Sequence, residues 1–207
     1  MQKHIEKAQK DLESIEYARL SASNFFSKKE LLFLANACKK VPKNLIGIGD
    51  VGEVNNLDVG RFMEDKKGEL PIYRNDPVGR QVVEILNNSS CREFLTTLMG
   101  GKYYIRRCQV NVLRDGNFIG KHIDTHSNLD YRYSIVIQFG EHYEGGEFFI
   151  EAADVEQEVK TNYADLLVNR CEIPHGVRRV TGGNRTSLVF FLSEQPLSVP
   201  NTNHKQI

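Results

Sequence analysis

The chain has 207 residues, with 27 basic and 27 acidic side chains and a formal net charge of zero. That length suits one domain with a sizeable core, and the neutral balance lacks the basic footprint of a nucleic-acid binder, so no nucleic-acid partner is expected. The sequence holds no apolar run of about 18 residues and opens on the polar stretch Met1 to Glu13, so neither a membrane span nor a signal region is expected and a cytoplasmic protein is predicted.

The first half reads as helical. Ile5, Ala8, Leu12 and Ile15 recur at spacings of three and four, which makes one apolar stripe. That stripe faces either the rest of the chain or a second subunit, which leaves a homodimer open. Ser27 and Glu30 form a capping-box signature before Leu31 to Cys38, and Pro42 limits that helix. Asp76-Pro77 reads as an N-cap and first-turn proline ahead of Val78, Val82, Val83 and Leu86. Ser90 and Glu93 repeat the capping pattern before Phe94, Leu95, Leu98 and Met99, and Gly100-Gly101 ends the helix. The segment from Ile46 to Arg74 fits a loop, a lid or one or two extra strands.

From Tyr103 the texture changes. Short β-rich runs cover Tyr103–Leu113, Ile119–His122, Tyr133–Phe139, Glu147–Ile150, Ala164–Val168, Val177–Val180 and Thr186–Leu192. Asp115-Gly116-Asn117, Glu144-Gly145-Gly146 and Gly182-Gly183-Asn184 supply turns between them. Such spacing predicts an antiparallel sandwich or barrel. The four cysteines, Cys38, Cys91, Cys108 and Cys171, are scattered without a C-x-x-C pair and are expected to be free thiols.

The chemistry concentrates in this second half. On a strand, residues two apart share a face, so His122 and Asp124 are expected to project together. His175 follows 51 residues later, near the start of another predicted strand. Two histidines and a carboxylate are the donor set of a facial triad, which binds Fe(II) and leaves positions open for co-substrate and O2. Ten residues on, Arg185 and Ser187 share a face at the start of a strand. A guanidinium fork with a hydroxyl beside it suits the distal carboxylate of a keto acid whose other end chelates the metal.

The ordered set His122-x-Asp124, His175 and Arg185-x-Ser187 resembles the 2-oxoglutarate/Fe(II) oxygenases. The stretches Asp115-Gly116-Asn117-Phe118, Glu144-Gly145-Gly146-Glu147-Phe148 and Pro174-His175-Gly176-Val177 are similar to the prolyl-4-hydroxylase-like branch. The resemblance covers roughly residues 103–193. It implies an α+β fold with a double-stranded β-helix (jelly-roll, cupin-like) core and N-terminal supporting helices. Residues 1–207 then form a single domain, with 1–100 a mainly helical support region and 103–193 the core with the iron site.

The same resemblance implies Fe(II), 2-oxoglutarate and O2 as cofactors and co-substrates, with succinate and CO2 released. It assigns His122, Asp124 and His175 to iron, and Arg185 and Ser187 to 2-oxoglutarate. Related halogenases carry a small residue where Asp124 stands, so hydroxylation or desaturation is implied. Leu113 departs from relatives that place a tyrosine there to hold 2-oxoglutarate, and Asn111 matches an asparagine used for that purpose in some branches. The expected reaction is hydroxylation of an aliphatic C–H bond of a small, amino-acid-like molecule. Alternatives are a hydroxylase of a peptide or protein side chain, and a non-oxidative metal-binding cupin-like protein.

Overall fold

A computed structural model describes residues 2–50, 53–66, 68–152 and 155–197. Helices α1 (Gln2–Ser14), α2 (Lys28–Lys40), α3 (Val78–Leu86) and α4 (Ser89–Leu98) all precede the half that carries the His-x-Asp motif. Strands are interleaved with them: β1 (Tyr17–Ser21), β2 (Asn44–Asp50), β3 (Glu53–Glu64) and β4 (Ile72–Tyr73). Then follow β5 (Tyr104–Arg114), β6 (Ile119–His122), β7 (Tyr131–Gln138), β8 (Glu144–Gly145) and β9 (Phe148–Ala152). The chain finishes with β10 (Val155–Val159), β11 (Asp165–Arg170), β12 (His175–Val177), β13 (Val180–Gly182) and β14 (Asn184–Ser193).

One sheet runs β1-β11-β7-β14-β5-β3-β2, with β4 against β3, and a second runs β10-β9-β12-β6. All these pairings are antiparallel. The two sheets form the double-stranded β-helix, and the ribbon β13-β8 extends it. The segment Ile46 to Arg74, ambiguous in sequence, supplies most of β2 and all of β3 and β4.

Period-two alternation decides what each face of the large sheet does. On β14, Leu188, Phe190 and Leu192 join the core beneath the helices, while Arg185, Ser187, Val189 and Phe191 point the other way and line a cavity. On β5, Cys108, Val110 and Val112 join the same core. Ile5, Ala8 and Leu12 of α1 are buried in it too, so these stripe residues face the chain's own core.

The capping box forms as expected: the Glu30 amide donates to Ser27 Oγ at 3.3 Å and the Ser27 amide to Glu30 Oε2 at 2.8 Å. The start of α4 differs. Asn88, not Ser90, is its N-cap: Asn88 Oδ1 accepts from the Cys91 amide at 2.9 Å, while Nδ2 donates to Phe25 O and Glu30 Oε1. One asparagine thus caps α4 and ties it to the start of α2, which a local three-residue pattern does not reveal. At α3, Pro77 takes the N-cap position with no side-chain cap, and Asp76 pairs with Arg80 instead. All four cysteines are free and buried, and burial pushes their thiols up, Cys38 to about 12.

Candidate active site

β6 ends at His122, and Asp124 opens a short 3-10 turn, Asp124–His126. The strand alternation expected for this pair is therefore not how the carboxylate arrives. The turn carries it there, and the Asp124 amide is anchored by donating to Cys171 O at 2.9 Å. His175 opens β12 directly across from His122 on β6. Gly176 makes this approach feasible: a Cβ there would sit 2.5 Å from Ile119 O and from the Phe149 ring.

The three side chains bring one ligand atom each within 4.8 Å of one another. His122 Nε2 lies 3.5 Å from Asp124 Oδ1, and His175 Nε2 lies 3.4 Å from Asp124 Oδ2. Those separations exceed good hydrogen bonds and fit donors converging on a shared centre. Each imidazole is oriented from behind, with His122 Nδ1 at 2.9 Å from Gly120 O and His175 Nδ1 at 2.8 Å from Ile173 O. A proton on Nδ1 in both rings leaves the Nε2 lone pairs for a metal. Asp124 Oδ2 is buried without a hydrogen-bond partner. Burial alone would raise the Asp124 carboxyl, but the flanking imidazoles of His122 and His175 outweigh it and hold it well below the usual carboxylate range. An anion with a buried, unsatisfied oxygen between two imidazoles fits a divalent cation such as Fe(II).

On the large sheet, Arg185 is 2% exposed and donates from Nη1 to Ser187 Oγ at 3.2 Å. Its Nε is buried with no partner. Burial draws the guanidinium down, while Tyr143, by charge and hydrogen bond, and Glu147 oppose this. The group stays cationic. Gly146 leaves room for it, since a Cβ there would stand 3.0 Å from Arg185 Cδ. Asn111 pairs across β5–β14 with Ser187, and Arg185 stands opposite Leu113. Asn111 Oδ1 accepts from Gln109 Nε2 at 2.8 Å, which leaves the Asn111 amide protons to donate elsewhere.

The residues singled out in the sequence therefore meet around one cavity. His122, Asp124, His175, Arg185, Ser187 and Asn111 all line it, with Val136, Val189, Phe148 and Phe191 as apolar wall. Sequence reasoning missed Tyr143 and Glu147 behind Arg185. It also missed Ser134 and Asn169, a buried pair bonded at 2.9 Å on the cavity wall. Their register across β7 and β11 is the signal, and it is invisible before the strands are paired.

A double-stranded β-helix with a convergent His-Asp-His group and a buried arginine across the cavity defines the class of non-haem Fe(II), 2-oxoglutarate-dependent oxygenases. Residues 108–193 match the family model described as the 2OG-Fe(II) oxygenase superfamily. The chain is 31% identical to an oxidoreductase of the 2OG-Fe(II) oxygenase family from Burkholderia pseudomallei, with a TM-score of 0.88 over 94% of this chain and 92% of that one. A Pseudomonas putida prolyl-4-hydroxylase shares the fold at 18% identity, with a TM-score of 0.67 over 92% of this chain and 98% of that one. A PKHD-type hydroxylase of Prochlorococcus marinus is 21% identical over 172 residues, 81% of this chain and 78% of the relative. The chain belongs to the 2OG-Fe(II) oxygenase superfamily. It is a 2-oxoglutarate-dependent Fe(II) oxygenase, and its cofactors are Fe(II), 2-oxoglutarate and O2. No described helix is long and apolar enough to cross a membrane.

Proposed function

We propose that His122, Asp124 and His175 hold the iron, that Arg185, Ser187 and Asn111 hold 2-oxoglutarate, and that the enzyme hydroxylates an aliphatic C–H bond of a small, amino-acid-like substrate, releasing succinate and CO2. The buried, unpartnered Asp124 Oδ2 between two oriented imidazoles carries this reading. When bound, iron supplies the O2 chemistry that couples 2-oxoglutarate decarboxylation to substrate oxidation.

The chain's own residues supply position and charge. The Gly120 and Ile173 carbonyls fix both imidazoles, and the Cys171 carbonyl fixes the turn that presents Asp124. Arg185 offers a guanidinium to the distal carboxylate of 2-oxoglutarate. Ser187 Oγ accepts from Arg185, so its hydroxyl proton remains to donate to the same carboxylate. Val136, Val189 and Phe191 give the remaining space an apolar wall suited to an aliphatic group. The prolyl-4-hydroxylase neighbour favours an amino-acid-like target, free or within a peptide.

The test is anaerobic titration of the Fe(II)-loaded protein with 2-oxoglutarate, read by visible absorption. A weak charge-transfer band at roughly 500 nm is expected for a keto acid chelated at such an iron. Asp124→Ala should lose iron and band while its far-UV dichroism stays native. Aerobic succinate release, scanned over amino acids and short peptides with product mass analysis, then reads the reaction. A native band with Asp124→Ala would overturn the ligand assignment, and a product without added oxygen would overturn hydroxylation.

A further inference from the structure

The cavity has two ends. Arg185 and Phe191 both line it, and they stand six positions apart on β14, about 20 Å along an extended strand. Arg185 and Ser187 mark the end proposed for 2-oxoglutarate. At the other end the sheet register places Asn169, Ser134, Phe191 and Arg107 in one row across β11, β7, β14 and β5. Side chains in such a row share a face of the sheet.

Arg107 is the unusual member of that row. Its guanidinium carbon lies 5.7 Å from the ring centre of Phe191 and 5.7 Å from that of Tyr131. Those rings stack on each other at 4.7 Å. The Arg107 Nε is buried and has no hydrogen-bond partner. Among the described residues no carboxylate stands within ion-pair distance of it. The acid serving this region, Asp65, already receives Arg106, Asn128 and Tyr131. Arg61, across from Gln109 on β3, adds a second cation to the same face. A half-buried guanidinium held against aromatic faces has lost water and rotational freedom without gaining a counter-ion. Its planar fork is then ready for a carboxylate at little further ordering cost.

We infer that Arg107 binds a carboxylate of the primary substrate at the end of the cavity opposite Arg185, so that the enzyme selects carboxylate-bearing amino-acid-type molecules. This rests on the reading that 2-oxoglutarate occupies the Arg185 end. One arginine then serves each acid, which keeps substrate and co-substrate in distinct places although both carry carboxylates.

The experiment uses the full chain loaded with Ni(II) and 2-oxoglutarate, so that nothing turns over. Thermal shift and calorimetric titration are run with the common L-amino acids and their carboxamides, and with tripeptides bearing free or amidated C-termini. Free carboxylates should bind at least about tenfold more tightly than the matched amides, as charge-assisted bonds to a guanidinium require. A response confined to amino acids identifies free small molecules, and one confined to free-acid tripeptides identifies peptide C-termini. Arg107→Gln should abolish the acid-over-amide preference and Arg107→Lys should keep part of it. If Arg107→Gln unfolds, Arg107→Met, which keeps the stem on the two rings, takes its place. No acid-over-amide preference in the wild type, or an undiminished one in the variant, overturns the proposal. The anaerobic Fe(II) titration run alongside separates the two readings: a normal chelate band in that case leaves the 2-oxoglutarate assignment standing, whereas a missing band overturns that assignment itself.

Discussion

Arg106 and Arg185 are both almost completely buried, on neighbouring strands of one sheet, and their surroundings differ in kind. Around Arg106 the charge is answered. Asp65 pairs with it, and the same carboxylate accepts from Asn128 Nδ2 at 2.6 Å and from Tyr131 Oη at 3.0 Å. The network joins β5, the loop after β3 and the segment that follows Asp124. Around Arg185, among the described residues, no carboxylate lies within ion-pair distance; Ser187 and Tyr143 are neutral partners, and Glu147 acts from farther away. A buried cation paired with a carboxylate is a structural element, whereas a buried cation with no carboxylate beside it has its desolvation left uncompensated by any opposite charge. The contrast separates a residue that holds the fold from one that, in the function proposed above, receives 2-oxoglutarate.

Three variants test that separation. Asp65→Ala should cost about 3–5 kcal/mol, because it leaves Arg106 charged and buried, and it should also loosen the segment behind Asp124. Urea unfolding measures this, and a loss below about 1 kcal/mol would make the two arginines equivalent. Arg185→Gln should stay within about 1 kcal/mol of wild-type stability, since removing an unpaired buried charge relieves desolvation while breaking its bonds. Its cost should appear in the half-saturating 2-oxoglutarate concentration, raised roughly 10- to 150-fold by the loss of charge-assisted bonds. Glu158→Gln is the surface control. Glu158 is one of two carboxylates on the partly exposed Arg178, the other being Glu156, and its loss should change stability by less than about 1 kcal/mol.

The residues that meet at the cavity were legible in the sequence because their chemistry is ordered along the chain and needs few partners to be seen. His122, Asp124, His175 and Arg185-x-Ser187 are such a series, and the Arg185–Ser187 alternation is present in β14 as expected. The local geometry was less legible. Asp124 reaches its place through a turn pinned by Cys171, a contact 47 positions away that no local period encodes. β1 and β10 carry no clear strand signal, and the residues of β2 and β3 fit a loop as well as a strand, because apolar and polar residues do not alternate cleanly along that sequence; for β1 and β3, pairing with the distant β11 and β5 decides the matter. β1, for instance, pairs with β11 from Tyr17↔Asn169 to Ser21↔Asp165. The Asp65–Arg106 pair escaped for the same reason, as nothing nearby in sequence marks either residue.

The four cysteines carry a consequence of another kind. They sit in α2, α4, β5 and just after β11, each buried and each held as a neutral thiol. A thiol reagent needs an exposed thiolate, so it attacks only during excursions that open the chain locally or globally. Labelling rates resolved site by site, by mass spectrometry of the native protein, would therefore rank how often the helical layer, the sheet centre and the metal-side turn breathe. Cys171, beside Asp124, reports from the active site itself, and slower labelling there on adding metal would register occupancy without any turnover.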